Sequence, residues 1–200
     1  AVELPGTFRT TGGGSRLGLA MPSLPGAADR CRPNILLTGT PGTGKTTTCE
    51  MLVEATGMRH VDVGRWVREQ SLHSGRDEEF DCYFVDEDKV CDALEDVVAA
   101  GGVIVDHHSC DFFPERWFDL VLVLQADTAV LYERLKTRGY SDKKLSENME
   151  CEIMNVCLEE AMESYKSEIV QQMQSNTVEQ MEENVERVAQ WVADWKPQTT

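Results

Sequence analysis

Positive charge is what this chain has least of. Lysine and arginine together number 19 against 35 aspartates and glutamates, a formal net charge of −16. A field that acidic does not draw the whole molecule toward nucleic acid or anionic lipid. Any phosphate-binding surface must then be a local positive pocket, whereas a basic protein partner suits the field. No apolar run approaches the roughly 20 residues of a membrane span, and neither a secretory hydrophobic segment nor a basic nuclear-import cluster is visible. The 7 cysteines (Cys31, Cys49, Cys82, Cys91, Cys110, Cys151 and Cys157) contain no C-x-x-C pair and no metal-like spacing with histidine. That predicts reduced thiols and argues against a structural disulfide or a zinc site.

What is present suits one ordinary domain: 200 residues, 41% of them hydrophobic. Residues 1–32, rich in Gly, Ser, Thr and Pro without apolar periodicity, read as a disordered leader or tail. Arg9 and Arg16 leave an organelle transit peptide as the alternative. The folded unit is expected over 33–196.

Within it, Gly39-Thr40-Pro41-Gly42-Thr43-Gly44-Lys45-Thr46 has the pattern of a phosphate-binding loop. The context agrees: the apolar run 34–37 reads as a buried strand and 46–55 as a helix. Glycines let successive N–H groups curl around an anion, and the helix N-terminus adds free donors and partial positive charge. Lys45 can reach β- and γ-phosphates, and Thr46 can hold Mg²⁺. The loop implies a bound nucleoside triphosphate.

Further strands are expected at 58–63, 103–106, 120–124 and 168–172, and helices at 64–73, 89–100, 128–137, 147–166 and 178–195. The stretch 74–88 reads as a surface loop. Alternating strands and helices predict an α/β fold, a doubly wound parallel sheet of about five strands flanked by helices. Ligands in such sheets bind beyond the strands' carboxyl ends.

Asp106 ends an apolar strand, where an acid can hold Mg²⁺, often through water. His107 and His108 follow; as neighbours on an extended chain they should point to opposite sides. One of them could orient a water or a nucleophile, or both could be structural. Arg68, Arg116 and Arg138 are candidate clamps for the charge that spreads over a transferring phosphoryl group.

The segments 33–42, 102–106, Cys110-Asp111-Phe112-Phe113-Pro114-Glu115-Arg116-Trp117 and 131–140 resemble the adenylate kinase isoenzyme 6 family, and the resemblance runs from about Pro33 to Trp195. It implies a P-loop nucleoside monophosphate kinase with a short lid at 137–147 and a monophosphate-binding region at 62–85. Gly42, Thr43, Gly44, Lys45, Thr46 and Thr47 would bind ATP with Arg138 of the lid. Arg68 and Arg116 would hold the acceptor. Lys45, Asp106, His108 and Arg138 would be catalytic, with Mg²⁺ on Thr46 and Asp106. The implied reaction is transfer from Mg·ATP to AMP or a related acceptor. ATP hydrolysis in small-subunit ribosome assembly, with a basic ribosomal protein as partner, is the other activity the resemblance covers. Nucleus and cytoplasm are the implied locations. A kinase for a small metabolite such as shikimate has the same loop but leaves Phe112–Trp117 unexplained.

Overall fold

The computed structural model describes residues 9–10, 30–77 and 82–197, with the backbone alone at 9, 10, 77 and 82. Strand β1 (Arg9–Thr10) and β2 (Ile35–Thr38) precede α1 (Lys45–Thr56). Next come β3 (Arg59–Asp62), α2 (Val63–Glu69), β4 (His73–Asp77), β5 (Cys82–Val85), α3 (Glu87–Ala99) and β6 (Val103–Asp106). A 3-10 turn at Glu115–Trp117 leads to β7 (Leu120–Gln125), α4 (Thr128–Thr137), α5 (Asp142–Ile153), α6 (Val156–Ser164), β8 (Val170–Gln174) and α7 (Val178–Asp194).

The main sheet has five strands in the order β3-β6-β2-β7-β8, and every neighbouring pair is parallel. The expected doubly wound sheet is therefore what these residues form. Its apolar runs do not alternate because both faces are covered. Leu36, Val61, Val105 and Val123 point into one core, with residues of α3 and α6. Ile35, Leu37, Ile104 and Leu122 point into the other, with Cys49 and Leu52 of α1 and Val185 and Val188 of α7.

The amino edge of this sheet is closed by polar groups. The buried Asn34 amide donates to the Val98 and Trp117 carbonyls at 2.8 and 3.0 Å, and its oxygen accepts from Val103 N–H. Asp119 accepts from Asn34 N–H at 2.8 Å and from Arg30 Nη2 at 3.0 Å. Arg32 donates to the Thr56 and Gly57 carbonyls at the end of α1. The fold thus reaches back to Arg30, ahead of the boundary expected at Pro33. Arg9–Thr10, from the segment read as a leader, pairs with Phe84–Val85.

Three expectations need correction. The stretch read as a loop holds an antiparallel hairpin, β4 with β5; its β4 half, His73-Ser74-Gly75-Arg76-Asp77, has no apolar alternation for a pattern argument to find. That hairpin also cuts α2 short at Glu69, with Ser71 in the left-handed region at φ 57°. The single long helix at 147–166 is two, because Asn155 takes φ 54° between α5 and α6. Asparagine tolerates that conformation better than most residues, and its Oδ1 accepts from Gln125 Nε2 at 2.6 Å.

Asn34→Ala should cost about 3 kcal/mol of stability, since it removes three buried hydrogen bonds at about 1 kcal/mol each. Urea denaturation of the two proteins measures this as a fall in midpoint at unchanged slope.

Candidate active site

The loop after β2 needs glycine where it passes between other elements. At Gly39 (φ 140°) a Cβ would come within 2.4 Å of the Leu124 carbonyl oxygen. At Gly42 (φ 100°) it would come within 2.8 Å of Leu131 Cδ1. Gly39 excludes a side chain by conformation and, because the obstacle is backbone, by space; Gly42 excludes one chiefly by its positive φ. Thr43 turns inward, its hydroxyl donating to Thr40 O at 2.8 Å; it braces the loop, so only its backbone is left for a ligand.

Beyond the strands' carboxyl ends lies a cavity of ≈ 210 Å³ lined by Gly42, Gly44, Lys45, Thr46, Thr47, Asp62, Gly64, Asp106, His107, His108 and Arg138, together with Pro41. Loop and first helical turn form one wall, Asp62 and Gly64 at the start of α2 another, and Arg138 at the end of α4 closes the side. In β-sheet register Asp106 stands beside Leu37 on one flank and Asp62 on the other, so the two acids meet at the same edge.

Lys45 Nζ donates to Gly39 O at 2.6 Å and Thr40 O at 3.2 Å. Burial lowers its pKa, opposed chiefly by Asp106. Burial pushes Asp106 the other way, but the His60 ring, the Lys45 ammonium and the Thr46 hydroxyl outweigh it and hold the carboxyl below its usual range. Thr46 Oγ1 donates to Asp106 Oδ2 at 3.2 Å. A hydroxyl and an ionised carboxylate side by side at the cavity wall are hard oxygen donors, and they fit Mg²⁺.

The two histidines do not diverge. The chain leaves the strand at Asp106, with His107 N–H donating to Leu37 O, and the rings lie side by side with centroids 4.2 Å apart. Burial pushes His107 down to about 4 and His108 well below the usual imidazole value. Both are neutral at physiological pH, so His108 brings to the cavity a polar ring without charge.

Arg138 is where the resemblance put it, but its surroundings are tighter than a lid of residues 137–147 suggests: only 138–141 lie outside α4 and α5, and Ser141 caps α5 by accepting from Lys144 N–H. Arg68 is exposed on α2, one turn past the cavity wall at Gly64. Arg116 is displaced altogether. Its segment sits at the amino edge of the sheet, where Arg30 and Asn34 bond the carbonyls of Arg116 and Trp117. Its guanidinium pairs with Glu95 at 3.0 Å in the open. The aromatics around it explain the segment: Phe113, Trp117 and Phe118 pack with one another, and Phe118 with Tyr165.

Two supporting residues give no signal in the sequence. Arg134, one turn before Arg138, donates to Ser175 O at 2.7 Å, Asn176 O at 3.0 Å and Gly42 O at 3.4 Å. It ties the glycine loop to the loop after β8. Glu152 of α5, one acid among several in that helix, accepts from the Thr40 hydroxyl at 2.5 Å and from Ala126 N–H at 2.7 Å. Burial pushes its carboxyl up. Arg116→Ala should leave nucleotide affinity within about twofold and cost less than about 1 kcal/mol of stability, as for other exposed pairs; calorimetric titration and thermal melting measure the two.

A family model described as an AAA domain matches residues 35–155. The adenylate kinase isoenzyme 6 homolog of Dictyostelium discoideum is 51% identical over 166 residues, which cover 83% of this chain and 95% of that protein. The homolog FAP7 of Saccharomyces cerevisiae is 44% identical over 172 residues, covering 86% and 87% of the two. Among solved structures, a shikimate kinase from Bacteroides thetaiotaomicron aligns with a TM-score of 0.56 over 82% of this chain and 99% of its own, at 18% identity. That likeness concerns the fold alone. Sequence identity at this level over nearly the whole length, on a P-loop kinase fold, places the chain in the adenylate kinase isoenzyme 6 family.

Proposed function

We propose that the protein transfers the γ-phosphoryl group of Mg·ATP to AMP or a closely related nucleoside monophosphate. The observation that carries this reading is the convergence of Lys45, Thr46, Asp106 and Arg138 on one cavity with a second open wall at Asp62 and Gly64. The N–H groups of Gly42 to Thr47 and the Lys45 ammonium hold the donor phosphates. To do so, Lys45 exchanges its bonds to Gly39 O and Thr40 O for phosphate oxygens. Arg138 meets the charge that builds on the equatorial oxygens from the opposite side. Mg²⁺, when bound, supplies further neutralisation of that charge, and Thr46 and Asp106 are the residues to hold it. Little covalent chemistry is asked of the protein, so positioning and fixed charge provide most of the rate.

Arg68 is the clamp for the acceptor phosphate. It stands on the exposed side of α2, so the acceptor is gripped when α2 turns toward the cavity, a motion of the kind that also excludes water. Arg116 has no part in this scheme.

A second reading, ATP hydrolysis coupled to a basic protein partner such as a small-subunit ribosomal protein, is favoured by the net charge of −16. There His108 orients the attacking water. Its neutrality makes it an orienting group rather than a proton acceptor of useful strength.

The readings separate on a simple assay: ADP formation from ATP plus AMP, against phosphate release from ATP alone. ADP formation is expected to depend on AMP, and its absence sinks the kinase reading. Lys45→Met should abolish both activities. Arg68→Ala should raise the acceptor KM roughly tenfold, the worth of one charged hydrogen bond, while sparing hydrolysis.

A further inference from the structure

Below the Thr46–Asp106 pair lies a second donor set of different chemistry. Cys49 follows Thr46 by three residues and so shares its face of α1. His60 is on β3, and Asp106 ends the neighbouring β6. The Cys49 sulfur, an imidazole nitrogen of His60 and a carboxylate oxygen of Asp106 all lie within 4.8 Å of one another. His60 Nε2 is buried without a hydrogen bond, 3.6 Å from Asp106 Oδ2, a separation too long for one. Spacing along the chain gives no hint of this group: its members come from one helix and two strands.

Mg²⁺ has no use for a sulfur or an imidazole. Zinc and metals of like preference favour both, and three protein donors with a fourth corner open is a common arrangement for them. Distances between donors in such a site are somewhat below 4.8 Å, so small side-chain rotations bring the three onto one ion. Of the three, Asp106 alone lines the cavity, so it is the donor that the two sites share.

We propose that Cys49, His60 and Asp106 form a site for a thiophilic divalent cation, Zn²⁺ or a metal of similar preference, that competes with Mg²⁺ by taking Asp106. Binding places the metal on the Cys49 sulfur and releases the thiol proton to solvent. The site itself stands on donor geometry. Its inhibitory consequence rests on the role proposed for Asp106 with Mg²⁺, and the experiment keeps the two apart.

Co²⁺ alone, titrated into the metal-free full chain, reads the site without any turnover. One equivalent should produce a thiolate-to-cobalt charge-transfer band in the near ultraviolet. The band should vanish in Cys49→Ser, persist in Cys31→Ser, and require at least about tenfold more Co²⁺ in His60→Asn. No band in the unaltered chain, a band that survives in Cys49→Ser, or one lost in Cys31→Ser overturns the site. Zn²⁺ added to the Mg²⁺-dependent ADP assay then reads the consequence. Cys49→Ser should keep its turnover without Zn²⁺, which shows that it is folded, and should need about tenfold more Zn²⁺ for half inhibition. Equal sensitivity of the two proteins overturns the competition. If the chain forms no ADP at all, the kinase reading falls while the cobalt band still decides the site.

Discussion

Everything at the catalytic edge depends on keeping one carboxylate ionised where water is scarce. Asp106 is 6% exposed, and isolation of that kind favours the protonated acid. His60, Lys45 and Thr46 reverse the preference, and they can do so because β3, the loop and the first turn of α1 bring an imidazole, a half-buried ammonium and a hydroxyl to the end of the same strand. The dependence is mutual, since Asp106 is also the main support for the charge on Lys45. In a chain with so strong an excess of acids, this small island of balanced charge is what makes a polyphosphate welcome at one place.

The geometry of that island is set by packing some distance away. Gly39 must pass close to the Leu124 carbonyl and Gly42 must lie against Leu131 and Leu135, so the loop's curl is pressed into shape by β7 and α4. Arg134 and Glu152 complete the support from the far side, bonding backbone and hydroxyl groups of the loop itself. The residues that hold the phosphate cradle still are more widely scattered in sequence than those that would touch the phosphate.

This scatter accounts for what could be read from the chain beforehand. The three central strands were the most legible because Ile35–Leu37, Val103–Val105 and Leu120–Leu124 are continuous apolar runs, and the cradle because its glycines, lysine and threonine are adjacent. Arg138 and Asp106 followed from their places at element ends. Arg116 misled because a loop that crosses from one edge of the sheet to the other gives no sign, in sequence, of how far across a residue lies; the aromatics of its segment serve the core. The hairpin of β4 and β5 and the break at Asn155 escaped for another reason. Backbone pairing and a left-handed turn leave no apolar period, and asparagine punctuates a helix less plainly than glycine or proline does. Glu152 was invisible because nothing local distinguishes an acid that reaches two distant backbone segments from its solvated neighbours.

Glu152 gives α5 a particular mechanical character. The helix is pinned at its carboxyl end to the glycine loop and to Ala126, and toward its amino end Leu145 and Met149 pack with Leu131 and Leu135 of α4. Those two leucines are the ones against which Gly42 lies. A rod some 18 Å long at ordinary helical rise thus reaches the loop twice, directly through Thr40 and indirectly through Gly42, and the short turn that carries Arg138 takes its position from that double hold.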